Sequence, residues 1–249
     1  MKISVITVSF NAAATISETL ASVRAQDHED IEHVLIDGLS TDGTQGIIAR
    51  EAMPGAVVVS ERDAGLFDAM NKGVKLATGD VIAILNADDA YANPQVLSKV
   101  AALFAADAGL EAVLGDVVYF DGDNPDRITR RYRSTRFAPG KLAWGWMPAH
   151  PGTFLARGVY DRIGLYRTDF RLAADYEYAV RAFTKARIRY RHLPEVVVRM
   201  RAGGLSTSGL SSKLLINREC VRACRDNGVY TNPAMIMTKY PLKLIDMLF

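Results

Sequence analysis

The sequence predicts an α/β protein with a mostly parallel central sheet flanked by helices, and three observations carry that prediction. Through the first ninety residues, short β-branched runs alternate with segments whose apolar residues recur at helical spacing. The runs are apolar throughout, as suits strands buried on both faces. One of them, Val81-Ile82-Ala83-Ile84-Leu85, continues into Asn86-Ala87-Asp88-Asp89, so two adjacent carboxylates close a buried strand.

Ile3 to Val8 forms the first strand, and Asn11 is placed to cap a helix carrying Ile16, Leu20 and Val23. A second strand, His33 to Ile36, ends at Asp37, after which Gly38-Leu39-Ser40-Thr41-Asp42-Gly43-Thr44 supplies turn and cap residues. A short helix through Ile47 and Ile48 leads to a third strand, Ala56 to Ser60. The next helix, about Gly65 to Ala77, puts Leu66, Met70 and Val74 on one stripe; Thr78-Gly79-Asp80 breaks it before the fourth strand. Strands joined by helices in this way wind right-handed into a parallel sheet.

Two acids at a buried strand end need a reason, because like charges repel and each resists losing its water. A divalent cation, Mn²⁺ or Mg²⁺, removes the conflict and keeps open positions for substrate phosphates. It would sit where open α/β sheets bind ligands, at the carboxyl ends of the strands. The competing reading makes Asp88 and Asp89 a cap for the next helix.

The 249 residues, 49% hydrophobic and 23% charged, suffice for one sizeable core or two small ones. A net charge of +2 is too mild to make nucleic acid the partner. Cys220 and Cys224 are the two cysteines, too few for a disulfide framework, and a reducing, cytoplasmic setting fits them. Met1-Lys2-Ile3-Ser4-Val5 enters a strand with no signal-peptide pattern, and no apolar run approaches the ~18 residues of a membrane span.

The motifs resemble the family 2 glycosyltransferases with the GT-A fold, a Rossmann-like architecture, and in particular their bacterial polysaccharide and O-antigen branch. The residues that carry the resemblance are Val5-Ile6-Thr7-Val8-Ser9-Phe10-Asn11, Ile36-Asp37-Gly38 through Thr44, and Ser60-Glu61-Arg62-Asp63 through Gly73. Asn86-Ala87-Asp88-Asp89, His150-Pro151-Gly152-Thr153-Phe154, Ala174-Asp175-Tyr176-Glu177 and Gly203-Gly204-Leu205-Ser206 continue it in order. The resemblance covers residues 1–206, a GT-A domain with a nucleotide-binding half, 1–90, and an acceptor-binding half, 91–206. Residues 207–249 then form a C-terminal helical extension.

That resemblance implies roles residue by residue. Val8, Ser9, Asn11, Asp37 and Asn71 hold the donor nucleotide, Asp63 belongs to a loop closing over the base, Asp88 points to the ribose, and Asp89 ligates the metal. Asp175 is the general base. The donor is a nucleotide sugar, with uridine the usual base, and the acceptor a glycan or polyprenyl-pyrophosphate-linked sugar. The reaction is a single displacement with inversion. Three positions depart from the pattern: Gly38 replaces an acid that often reads uracil, Asn86 replaces an aspartate, and Ala174 replaces a glutamate.

Beyond residue 90, Asn93-Pro94 starts a helix carrying Val96, Leu97, Val100, Leu103 and Phe104. Ala112 to Phe120 is a strand. Asp121 to Ala138 is a charged excursion with Arg127, Arg130, Arg131, Arg133 and Arg136, either a solvated hairpin or a contact for an anionic acceptor or acidic headgroups. Trp144 and Trp146, ahead of a strand at Thr153 to Ala156, suit either a sugar-stacking platform or the core. His150 is a candidate for acceptor or donor-phosphate contact, against a structural hydrogen bond.

Asp175 falls in the first turn of a helix, where an acid also serves as a cap. Strands about Ile188 to Tyr190 and Val196 to Val198 lead to a glycine-rich loop in which Gly203 and Gly204 either approach phosphate oxygens or form a hinge. Residues 209–228 form a helix with Leu214, Leu215, Val221 and Cys224 inward. Pro233 to Phe249, with Lys239 and Lys243 and a break at Pro241, suits peripheral contact with the inner face of the plasma membrane, packing on the catalytic domain, or a homodimer.

Two other classes share features with this one. A sugar-phosphate nucleotidylyltransferase should carry a glycine- and arginine-rich loop after the first strand, where this chain has Ser9-Phe10-Asn11-Ala12-Ala13. A non-catalytic module would hold a nucleotide sugar unchanged.

Overall fold

A computed structural model describes the chain over residues 1–122, 124–201 and 209–240. Gly203, Gly204 and the final residues from Pro241 onward lie outside the described residues.

Strand β1 (Ile3–Ser9) is buried along its whole length, which explains why its sequence shows no alternation. It pairs in parallel with β2 (Ile31–Asp37) on one side and β4 (Val81–Ile84) on the other, and β2 pairs in parallel with β3 (Val57–Ser60). Helices α1 (Ile16–Arg24), α2 (Thr44–Glu51) and α3 (Leu66–Leu76) make the crossovers. The first ninety residues are therefore the predicted βαβ series.

The sheet is mixed beyond that half. Strand β8 (Thr153–Ala156) runs antiparallel between β4 and β6 (Ala112–Asp121), and β6 pairs in parallel with β9 (Tyr190–Arg201). A hairpin return, β7 (Asn124–Tyr132), lies on β6, so the charged excursion is a hairpin; a short strand, β5 (Asp89–Tyr91), borders β9. Among the described residues these strands form one nine-stranded sheet. The two strands predicted around residues 188 and 196 are one.

Apolar residues of both faces are buried. On one face Ile6, Val8, Ile82 and Ile84 meet Met70 and Val74 of α3 and the helices that follow β8. On the other, Ile3, Val5, Val81 and Ala83 meet Val96, Leu97, Val100 and Phe104 of α4 (Val96–Ala106). Helix α5 (Arg157–Ile163) was not expected; α6 (Ala174–Val180) and α7 (Gly209–Asp226) were.

Several local expectations are corrected. Thr15, not Asn11, precedes α1; Asn11 takes a left-handed conformation (φ 50°) and its side chain accepts a hydrogen bond from Thr41 N at 2.9 Å. Leu66 is 41% exposed, and Phe67 takes its place in the core. Leu214 is 61% exposed, whereas Cys220, Ala223 and Cys224 turn inward. The C-terminal helices pack into the domain: those three, and Ile236 of α8 (Pro233–Met237), belong to the main core. Lys239 is buried with its ammonium over the Tyr240 ring. Among the described residues no helix is long and apolar enough to cross a membrane.

Candidate active site

From β1 the chain passes through α1 to β2, and from β4 it passes through β5 and α4 to β6 on the other side of the sheet, so the crevice at the carboxyl ends of β1 and β4 is where such sheets take ligands. Leu85 N bonds to Ile6 O at 2.9 Å and Ala87 N to Val8 O at 3.3 Å, so the chain after β4 stays stitched to β1 up to the two acids. A turn follows, closed by Asp89 N to Asn86 O at 3.0 Å.

The two acids then diverge. Asp88 reaches solvent, while Asp89 is 1% exposed. Burial raises the Asp89 carboxyl well above the usual range and the charge of Asp88 adds to the effect; a long bond from Asn86 Nδ2, 3.3 Å, offsets little of it. Crowding also raises Asp88, and Arg201 draws it partly back. Asp89 Oδ1 and Asn86 Oδ1 are both buried without a hydrogen-bond partner. Two adjacent orphaned oxygens, one on a carboxylate, suit a hard divalent cation. Among the described residues no three His, Cys, Asp or Glu side chains converge as a complete metal site. Asp89 and Asn86, with Asp88 next in the chain, are the residues that could hold part of the shell of a cation that keeps positions for substrate.

The predicted donor residues divide into buried and accessible groups. Asp37 is fully buried: Ser9 Oγ and Ser40 Oγ donate to Oδ1, and Ser40 N and Ser60 Oγ donate to Oδ2 at 3.0 and 2.9 Å. Burial acts to raise its carboxyl, but the bonds from Ser40, Ser60 and Ser9 outweigh it and hold the carboxyl low. Asp37 thus ties the ends of β1, β2 and β3 together, and Ser9 and Val8 are buried with it. The accessible groups are Asn11, Phe10 (66% exposed), Gly38 and Asp63. Asp63 Oδ1 accepts from Gly65 N, and Oδ2 leans into the space beside Gly38. Nothing in the Val5–Asn11 segment of the sequence sets Phe10 apart; its exposure in the fold does.

Asn71 is buried as well. Its amide donates to Tyr166 O at 2.8 Å and accepts from Tyr166 N at 2.9 Å, so both ends are occupied. The clamp positions the Tyr166 hydroxyl 3.0 Å from His150 Nε2 and 3.0 Å from the Tyr160 hydroxyl.

Asp175 stands in the first turn of α6, Oδ1 accepting from Tyr176 N at 2.7 Å. Burial raises its carboxyl; His150, close by, lowers it in part. His150 itself is pushed down by burial and up by Asp175. The turn entering α6 hangs on Glu219 of α7, whose carboxylate accepts from Arg171 N, Leu172 N and Ala173 N at 2.7 to 2.9 Å.

Tyr119 of β6 lies across from Met200, itself across from Asp89, and so stands on the same wall of the sheet as Asp89. Burial raises its phenol, Arg130 lowers it, and the charges of Asp89 and Asp175 raise it. Tyr132 and Trp146 extend this wall, their rings 6.3 Å apart. Trp144 is 45% exposed and, among the described residues, no ring contact joins it to that wall.

The profile of Glycosyl transferase family 2 matches residues 4–164. A PGL/p-HBAD biosynthesis glycosyltransferase of Mycobacterium bovis (strain BCG / Pasteur 1173P2) is 32% identical over 222 residues, 85% of this chain and 82% of that protein. The crystal structure of Staphylococcus aureus TarS 1–349 in complex with UDP-GlcNAc superposes with a TM-score of 0.70 at 17% identity, covering 95% of this chain and 70% of that one. A longer TarS chain is covered to 40%. Mannosyltransferase PcManGT from Pyrobaculum calidifontis, in complex with GDP-Man and Mn²⁺, gives 0.69 at 22% identity, with 99% of this chain and 73% of that one covered. At such identities the two structures speak to fold.

Proposed function

The chain belongs to glycosyl transferase family 2, and from that premise we propose that it moves a sugar, with inversion, from a nucleotide-sugar donor to a hydroxyl of a glycan or lipid-linked acceptor. It is a glycosyltransferase; the stereochemistry, the metal and the acceptor are the proposal. The observation that carries it is the pair of orphaned oxygens on Asp89 and Asn86, held at the carboxyl ends of β1 and β4.

A bound Mn²⁺ or Mg²⁺, held by Asp89 with Asn86 and Asp88, would supply the positive charge that stabilises a departing diphosphate. The other steps belong to the chain. Asp175 takes the proton of the acceptor hydroxyl as that oxygen attacks the anomeric carbon, and the bond to the diphosphate breaks with its electron pair on the opposite face. A carboxyl raised by burial is a stronger base than an ordinary aspartate. Phe10 offers a face to the base, and Asp63 Oδ2 accepts one of its N–H groups in the space that Gly38 leaves. A carboxylate there serves uracil or guanine, in keeping with neighbours that bind UDP-GlcNAc and GDP-Man. Asp37 and Asn71 position loops without touching donor. Trp146 provides an apolar face for the acceptor sugar.

The test is release of nucleoside diphosphate from a panel of UDP- and GDP-sugars with Mn²⁺ or Mg²⁺, with and without glycan and polyprenyl-pyrophosphate acceptors. Proton NMR of the product then gives its anomeric configuration. No release from any donor, or retained configuration, overturns the reading. Lipid-linked acceptors would put the enzyme at the cytoplasmic face of the plasma membrane, which co-sedimentation with acidic vesicles checks.

A further inference from the structure

Arg130 of β7 lies across from Tyr119 of β6, Tyr119 across from Met200 of β9, and Met200 across from Asp89 of β5. Residues directly opposite on neighbouring strands project from one face of a sheet. Arg130 therefore shares a face with Asp89, three strand spacings or about 14 Å away. Its guanidinium carbon is 5.3 Å from the Tyr119 ring centroid and 5.5 Å from that of Tyr132, whose ring in turn neighbours Trp146. This double stack holds the charge over Tyr119 and Tyr132, at the β6–β7 end of the face that Asp89 shares.

The charge is unanswered. Arg130 Nε is buried without a partner, and among the described residues no carboxylate pairs with the guanidinium. Its neighbours on the hairpin differ: Arg131 bonds Asp116 through Nε and Nη2 at 3.0 and 2.8 Å, and Arg127 lies 3.7 Å from Asp121. A buried N–H without an acceptor is costly unless a ligand supplies one. The planar donor fork of arginine matches a phosphate or carboxylate.

We propose that Arg130 receives an oxyanion carried by the acceptor, so that this enzyme's acceptor is anionic. The inference rests on the glycosyltransferase reading of the site and adds the charge class of its second substrate. The oxyanion belongs to a lipid-linked pyrophosphate, a phosphate within the glycan, or a uronic acid; the chemistry that Arg130 recognises is common to all three.

The full chain is titrated calorimetrically with farnesyl pyrophosphate, glycerol 3-phosphate and glucuronate, with and without saturating UDP or GDP, as wild type, Arg130→Gln and Arg130→Lys. At least one probe is expected to bind the wild type and to weaken about tenfold or more in Arg130→Gln, with Arg130→Lys intermediate and nucleotide affinity within about twofold throughout. The probe that binds identifies the source of the oxyanion. Thermal melting shows that each variant is folded, and Arg130→Lys alone decides the matter should Arg130→Gln fail to fold. Binding of no probe to the wild type, or equal binding to all three proteins, overturns the inference. Absence of any nucleotide binding strikes instead at the donor reading, since the probe titrations without nucleotide report on Arg130 separately.

Discussion

A β-carbon built on Gly38 would stand 2.7 Å from Oδ2 of Asp63 and 3.2 Å from Cδ2 of Phe10. Gly38 is not among the residues with positive φ, so the requirement is for space, not for backbone freedom. The carboxylate of Asp63 fills the volume in which a side chain at position 38 would begin, and one acid is thereby exchanged for another across the same opening.

Gly38→Ala is accordingly expected to displace Asp63 and weaken nucleotide binding several-fold, with little change in melting temperature. Gly38→Asp sets two carboxylates against each other and should weaken it further. The double variant Gly38→Asp, Asp63→Gly should recover affinity. Calorimetric titration with UDP and GDP measures all three, and a double variant no better than Gly38→Asp would show that the two positions do not trade roles.

Asp89 gives a prediction about stability in which the sign can be worked out. Its folded carboxyl is raised well above the model-peptide range, first by burial and then by Asp88. The folded state thus holds the proton more tightly than the unfolded chain does. The associated stability is present below about pH 4, where unfolded aspartate titrates, and is lost as pH rises through the raised folded value. Asp89→Asn removes the buried charge, so the metal-free protein should melt a few degrees higher near neutral pH and lose that pH dependence. The melting shift that Mn²⁺ gives the wild type should vanish with it. Scanning calorimetry from pH 5 to pH 8, with and without Mn²⁺, reports both effects.

The fold was legible because its first half is built from strands buried on both faces, which leave β-branched runs in the sequence; β1 is buried at all seven positions. The paired acids were legible because their adjacency is local. What escaped was chemistry completed across the chain. Strand β5 has three residues, too few to show a period, and exists because Met200 pairs with Asp89. Asn71 looked free to bind donor, since its partner Tyr166 lies 95 residues away. Helical spacing could not choose between Leu66 and Phe67, because either continues to Met70 and Val74. Nor did spacing distinguish Arg130 from four other arginines in its segment; only the rings of Tyr119 and Tyr132 do so.

Asp175 should govern the acid limb of the pH profile of kcat/KM. Only the ionised form accepts a proton, and burial raises its carboxyl, so the limb should lie above the ordinary aspartate range near pH 4. His150 opposes that rise, so His150→Gln should move the limb to higher pH. Asp175→Asn should cut transfer by about 10²-fold to 10⁴-fold and leave nucleotide binding intact. Transfer unaffected by Asp175→Asn would remove this residue from the role of base.

Asn71→Ala separates a positioning role from donor contact. It leaves the N–H and C=O of Tyr166 unpaired, and a buried orphan costs about 1–3 kcal/mol. At about 2–4 °C per kcal/mol for a chain of this size, the melting temperature should fall clearly. The nucleotide dissociation constant should hardly change. A large loss of nucleotide affinity at unchanged stability would return Asn71 to the donor.

Glu219 extends the same logic to the helix that carries the base. Its two carboxylate oxygens hold three consecutive backbone N–H groups just ahead of α6, at 2.7 to 2.9 Å, and it reaches them from α7, 46 to 48 residues away. Charged acceptors on backbone N–H groups are worth more than neutral ones. Glu219→Gln turns one carboxylate oxygen into a donor group facing donors, so the turn must reorganise and Asp175 must shift with it. Melting should drop by a few degrees, kcat should fall, and the KM for donor should stay near its wild-type value, because the crevice at β1 and β4 is built without α7. Removal of residues 209–240 should unfold the domain outright, since Cys220, Ala223, Cys224 and Ile236 close its main core. A truncated chain that still folds and still binds nucleotide would make the C-terminal helices an accessory.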